Sequence, residues 1–403
     1  MGICHSTIVE ENNTKKMSND FQLTRYLYEK EEVEIALMMA LINKKDDEAL
    51  FWAYELYYSG LTVELKVLLW KIYYDFYAVL NPGFEKYLQT KLVKIEEAKM
   101  IAMIINNFII RPFTTDIFFI RQILKNNDLY QTDMKTYILL NDFEIIQKKM
   151  IVLLKEENYL QLSFLIIDII KDSHLIQTLE TIMSFFIEKG VNIDNNKLLN
   201  EFKGNINKKR NYIRWNLVSK VIYFNALLNK KTIGKNLYVH VDAEDVVMYE
   251  TIESDLNERD KWTILPAYKI LPIAAFYPID KYNYLSLFNL KRDNTNIIKA
   301  YHDNWLYYAS FTPVWKERIL KHNGVIDSIN KKIIFQTDDD LDDFYNEFNY
   351  EPDEQKKEVQ EKSICNIEQS RTWLTVYNDF QKKTIIHIKD EYLIELEKID
   401  YFT

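Results

Sequence analysis

The residues with the most definite chemistry stand at the start of the chain. Met1-Gly2-Ile3-Cys4-His5-Ser6 fits the pattern M-G-x-x-x-[ST], in which loss of the initiator Met frees the Gly2 amine for myristoylation. Cys4 places a thiol two residues further on, where a palmitoyl chain could be added. The second chain matters because one myristoyl group holds a bilayer only marginally, whereas two signals hold it stably. Glycine is scarce, at 7 of 403 residues, so its presence at position 2 is informative. The flanking charge helps little. Lys15 and Lys16 attract anionic lipid, while Glu10 and Glu11 are repelled by it. The alternative is an unmodified, frayed terminus. Acylation presupposes a eukaryotic or viral source, and covalent myristate, with palmitate as a second chain, is the only prosthetic chemistry expected.

A second chemistry lies in residues 202–241, which hold Lys203, Lys208, Lys209, Arg210, Arg214, Lys220, Lys230, Lys231 and Lys235 and no acid. Tyr212 and Trp215 are interleaved. Lys208, Lys209, Arg210, Arg214, Lys230 and Lys231 are the candidate anion-binding residues. Such a segment can meet phosphate backbones and unpaired bases. It can equally face an anionic membrane, or be the solvated side of a helix. Net charge of −9 makes the chain as a whole unlike a nucleic-acid binder.

Other constellations point to structure rather than reaction. Asp338-Asp339-Asp340-Leu341-Asp342-Asp343 lacks the Gly and terminal bidentate Glu of a calcium loop. Its first three acids are placed to cap a helix starting near Leu341. The six His are scattered, with no pair at i, i+3 or i+4, so no helix-borne metal site is expected. Cys4 and Cys365 are the only cysteines, too few for a disulfide framework or a Cys-rich zinc site. No G-x-S-x-G, H-E-x-x-H or G-x-G-x-x-G occurs, which argues against the familiar hydrolase, zinc-protease and nucleotide-binding classes. Trp305 and Trp315 flank a dense aromatic segment. They read as anchors of an inter-helix core, with a partner-binding aromatic groove as the sharper alternative.

The elements that must position these residues read as helices. Glu31–Lys44 is apolar on most sides, as a buried helix is. Asp46–Tyr58 begins with acids and stops at Gly60. Thr62 is read as the cap of a helix striped by Leu65, Leu68, Leu69, Ile72, Phe76, Val79 and Leu80, ended by Asn81-Pro82-Gly83. Further helices are expected near 95–108, 113–126, 142–155, 158–171, 174–189 and 209–229, and later at 293–309, 313–322, 339–348, 352–363 and 366–382. Asn236–Val241, Ile333–Gln336 and Thr384–Ile388 are expected as short strands. No stretch is long and apolar enough for a transmembrane helix, and residues 1–20 lack the apolar run of a secretory signal.

The expected architecture is mainly α, an irregular antiparallel helical array with minor β in the C-terminal half. It divides into a flexible lipidation segment (1–20), a helical domain (21–232) and an α-helical C-terminal domain with minor β (233–403).

Two blocks resemble segments of an uncharacterised protein family of nucleocytoplasmic large DNA viruses. One is Glu48-Ala49-Leu50-Phe51-Trp52-Ala53-Tyr54-Glu55-Leu56-Tyr57-Tyr58-Ser59-Gly60 with the helix that follows it. The other joins the Trp305–Trp315 stretch and Tyr350-Glu351-Pro352-Asp353-Glu354-Gln355. The resemblance implies a viral source, which suits the A/T-rich codon bias of the composition, and carries no catalytic residues. Ala49 through Asp75 is also similar to the helical collar of clamp-loader ATPases, which implies a helical packing unit, the ATPase motifs being absent. The expected function is a non-enzymatic, lipid-anchored scaffold or adaptor at the cytosolic face of host membranes or in a virion, with protein partners. The alternative is a nucleic-acid-associated protein using residues 202–241.

Overall fold

The structure is a computed structural model, and it describes residues 22–126, 142–206, 212–250, 284, 287, 303–348, 371–393 and 396. Gly2, Cys4, Lys208, Lys209, Arg210 and the helix expected at 352–363 lie outside the described residues. The fold is mainly α with one two-stranded antiparallel sheet among the described residues.

The chain opens with α1 (Lys30–Ile42) and α2 (Asp46–Tyr58). Asp46, Asp47 and Glu48 fill the first turn of α2, where the helix dipole favours negative charge. Gly60 ends that helix with φ of 82°, and a Cβ there would stand 2.7 Å from the Pro313 Cβ. Glycine therefore serves both the left-handed turn and the close approach of a segment far along the chain. Next comes α3 (Thr62–Ile72), which buries Leu65, Leu68, Leu69 and Ile72 and runs on as a π-helical turn, Tyr73–Tyr77. Thr62 is the first helical residue rather than the cap. The Leu61 N–H is already committed to the Leu56 carbonyl of the preceding turn, so the helix starts from Leu61.

α4 (Phe84–Leu92), α5 (Ala98–Ile109) and α6 (Asp116–Asn126) complete the first bundle. α7 (Phe143–Lys155), α8 (Tyr159–Phe164, extended by a π turn at Leu165–Ile169), α9 (Leu175–Glu188), α10 (Asn195–Ile206) and α11 (Ile213–Leu228) follow. α4 and α10 were not expected. Of the residues of α10 only Phe202 is buried, so little apolar periodicity marks it in the sequence.

Among the described residues the core continues across 231–235. One cluster of buried residues joins Tyr26 through Ala226 with Val241, Val246, Trp373, Tyr377, Ile386 and Leu396. A smaller second cluster sets Leu23 and Leu27 against α12 (Trp305–Ala309) and α13 (Pro313–Lys321), with Phe344 of α14 (Asp338–Phe348). The sheet lies beside it, β1 (Val325–Asp327) pairing with β2 (Lys332–Ile334) in the register Val325 to Ile334. The segment closing the main core is α15 (Trp373–Asp379), followed by α16 (Asp390–Leu393).

Two expected strands are instead straps held by side chains. Residues 236–241 form no ladder. The Val239 N–H donates to Asn107 Oδ1 at 3.0 Å, Asn107 Nδ2 donates to the Val239 carbonyl at 2.9 Å, and an Arg111 Nη donates to the Leu237 carbonyl at 2.9 Å. Residues 384–388 likewise have no strand partner: the Ile385 and Ile386 N–H groups donate to the Asp116 carboxylate at 3.0 to 3.2 Å. In both places the alternation of apolar residues is real, but a helix rather than a strand lies alongside, and only side chains can reach the backbone groups.

The acids Asp338–Asp340 also differ from expectation. They form the first turn of α14 rather than preceding it, and Thr337 caps them: its hydroxyl accepts the Asp340 N–H at 3.1 Å while Asp340 accepts the Thr337 N–H at 3.1 Å.

Candidate binding cleft

An open cleft of about 270 Å³ lies between α3, α4 and the start of α11, lined by Lys66, Trp70, Tyr74, Gln89, Leu92, Val93 and Tyr212. Trp70 and Tyr74 are four residues apart, and their rings stack at 6.0 Å. Tyr212 stacks on Tyr74 at 5.0 Å with the planes 9° apart. Three rings from two distant parts of the chain thus form one ladder, with Tyr74 in the middle and fully buried. Tyr74 belongs to the π turn, a distortion often found at functional sites.

A polar network fixes these rings from beneath. The Tyr74 hydroxyl donates to Glu85 of α4, and Asn216 of α11 donates to the same carboxylate at 3.4 Å. Burial, reinforced by the Glu85 charge, holds the Tyr74 phenol far above its ordinary pKa, so it remains a donor. One residue on, the buried Asp75 lies 2.7 Å from an Arg121 Nη of α6. The Arg121 guanidinium sits 4.6 Å over the Trp215 ring. Three valines on α3 and at the end of α4 are exposed. Val63 is 70 % exposed, Val67 55 % and Val93 78 %. Val63, Val67, Trp70 and Tyr74 follow one another on a single ridge of α3 and its π turn.

Of the candidate anion-binding residues, the described ones, Arg214, Lys230 and Lys231, do not form one patch. Arg214 is not available for an external anion. Its guanidinium donates to the Ile166 and Ile167 carbonyls at 2.6 and 3.1 Å and to Asp172 at 2.7 Å, so it satisfies backbone groups freed by the π turn of α8. Lys230 and Lys231 are exposed past the other end of α11. With 16 residues in that helix, they stand about 24 Å from Arg214 along its axis. Lys230 adopts a positive φ of 52°, and the Lys231 N–H closes the helix on the Ala226 carbonyl. These two lysines serve a helix C-terminus, where positive charge is favoured.

Trp305 and Trp315 both belong to the smaller core cluster. Their rings meet edge to face at 5.5 Å, Trp315 is fully buried, and its indole N–H donates to the Thr24 carbonyl at 2.9 Å. Trp315 is thus committed to packing against the N-terminal segment, while Trp305 also borders an open pocket of about 310 Å³. The cleft residues Lys66, Trp70 and Tyr74 were not singled out from sequence. Their signal was there: Val63, Val67 and Trp70 are large apolar residues lying off the buried stripe of α3.

Lys44 and Asp116 are also strongly shifted, and each holds backbone. Burial lowers the Lys44 ammonium to about 7, helped by the nearby Lys383 and Arg111 charges. Its Nζ donates to the Phe108 and Arg111 carbonyls at the end of α5 at 3.0 and 2.6 Å. Burial pushes the Asp116 carboxyl up to about 6, although the Ile385 and Ile386 N–H bonds pull the other way. Neither group lines the cleft. Among the described residues no cluster of three or more His, Cys, Asp or Glu is arranged to hold a metal ion. No described helix is long and apolar enough to cross a membrane. No family model, curated protein or solved structure matches the chain.

Proposed function

We propose that the protein is a non-enzymatic helical scaffold or adaptor, tethered at a cytosolic membrane face by myristate on Gly2 and palmitate on Cys4, which meets protein partners through the α3 ridge and its cleft. In a viral setting this would serve assembly or a virion-associated membrane role. The observation that carries the docking part is the exposure of Val93, which lines the aromatic cleft, and of Val63 and Val67 on the helix that forms one of its walls. Contiguous exposed apolar surface on a globular protein marks an interaction site. The anchor rests on the N-terminal hexapeptide. The strongly shifted Lys44 and Asp116 support a non-enzymatic reading because both are spent on satisfying main chain.

Metabolic labelling with a clickable myristate analogue, wild type against Gly2→Ala, tests the anchor. Label on the wild type alone, with loss of the variant from the membrane fraction, is the expected result. An unlabelled wild type, or a variant that stays on membranes, would sink it.

A second reading, association with nucleic acid, is favoured by one observation: Tyr212 borders the cleft and stands two residues after Arg210, the last of the basic triplet Lys208, Lys209 and Arg210 in sequence. Charge reversal at those three residues should then weaken salt-dependent binding of single-stranded nucleic acid. Absence of wild-type binding at low salt removes this reading.

A further inference from the structure

Asn107 and Arg111 are buried polar side chains of α5, 0 % and 3 % exposed, and both bond the backbone of a strap that is itself largely exposed. Asn107 treats Val239 as a neighbouring strand would, accepting its N–H and donating to its carbonyl. Arg111 takes the carbonyl two residues earlier, that of Leu237. The spacing i, i+2 is the repeat of an extended chain. Between these two residues the Tyr238 ring stacks on Tyr87 of α4 at 4.3 Å and lies 4.8 Å from the Arg111 guanidinium.

This reader is fixed by groups other than the strap. Arg111 donates to Asn107 Oδ1 at 3.0 Å and to the Asn107 carbonyl at 2.6 Å. Asn107 Nδ2 also donates to the Met103 carbonyl at 2.7 Å. The amide is therefore oriented with its oxygen and nitrogen already set at the spacing of a peptide unit, whether or not the strap is present. The rest of the Arg111 guanidinium packs 4.0 Å over Phe84. The strap is held at these residues by the Asn107 and Arg111 bonds and the Tyr87 stack, with Val241 beyond them in the core, and its own side chains lie largely at the surface. It has no ladder, Leu237 is 65 % exposed, and Tyr238 is 39 % exposed. Segments of this kind open at free energies well below global unfolding.

We infer that the α4–α5 groove is a recognition site for an extended peptide with a central aromatic residue, supplied by a partner protein, and that residues 237–239 occupy it in cis as a releasable stand-in. The contacts demand an N–H and two carbonyls of an extended backbone and one ring against Tyr87. Acylation at Gly2 plays no part in it, so it stands or falls separately from the membrane anchor.

The test uses the full chain and a fluorescein-labelled peptide Lys-Asn-Leu-Tyr-Val-His-Val, followed by fluorescence anisotropy. Tyr238→Ala removes the strap's ring and should admit the peptide, while the wild type, with its groove filled, should bind it about tenfold more weakly or worse. The same peptide N-methylated at its first Val lacks the N–H that Asn107 accepts, and should bind Tyr238→Ala about tenfold less well. Hydrogen exchange on the wild type should show the Val239 amide opening well before those of α5. A folded Tyr238→Ala protein that ignores the peptide, or that binds the N-methylated form equally well, overturns the inference. So does a wild-type dimer that exchanges straps between copies without capturing the peptide.

Discussion

Arg121 and Asp75 form a buried ion pair, 2.7 Å apart, at the π turn that ends α3. Asp168 sits in the second π turn, at the end of α8, and feels the Arg214 charge, which lowers its pKa against the larger upward effect of burial. In each case an arginine from a later helix, α6 or α11, comes to the widened turn. The π turns are thus where separate helices are tied together. At the first of them the tie also supports the cleft, because Arg121 carries Trp215 and the adjacent Tyr74 carries Tyr212.

Removing one partner of the first pair should be expensive. Arg121→Met removes the ion-pair partner of the buried Asp75, at a cost of about 3–5 kcal/mol. Asp75→Leu combined with Arg121→Met should recover most of that loss. Urea unfolding of the two variants checks the prediction, and equal stability of single and double variants would contradict it.

Trp315→Ala should cost about 3–5 kcal/mol, from a large cavity and the loss of the indole bond to the Thr24 carbonyl. The loss should be local, opening residues 303–348 to trypsin before the main bundle unfolds, because Trp315 belongs to the smaller core cluster. Limited proteolysis with mass spectrometry reads this directly.

Asp116 predicts a pH dependence of definite sign. Its folded pKa is raised from 3.8 to about 6, so the folded chain holds this proton more tightly than the unfolded chain. Its stabilising effect is complete below about pH 4 and is lost as pH rises through about 6. The two-unit shift corresponds to roughly 3 kcal/mol. Asp116→Asn should abolish this contribution, so the stability difference between wild type and variant should change across that window and be flat above about pH 7. Urea titrations at a series of pH values measure it.

Cys4→Ser should retain the myristate label yet lose most of the membrane-bound fraction, since a single acyl chain binds only marginally. Cell fractionation of the labelled variant decides the matter. Full retention on membranes would mean that another surface supplies the second signal.

The sequence by itself determined most of the helices, though not α4 or α10. The acids that open α2, Gly60 and the Leu65–Ile72 stripe all act within a few residues, so their physics is local and readable. It also carried the acylation pattern, which needs no folded context. Tertiary structure alone decided how polar groups were used. Arg214 could have faced an anion, but its guanidinium satisfies carbonyls some 47 residues away in sequence. Residues 236–241 and 384–388 have strand-like patterns, but each came to rest beside a helix, whose Asn107, Arg111 or Asp116 supplied the missing partners. The cleft joins Trp70 and Tyr74 to Tyr212 across more than a hundred residues. Hydrogen-bond partners and ring stacks are chosen by proximity in space, and in an irregular helical array no repeat fixes which distant helices meet.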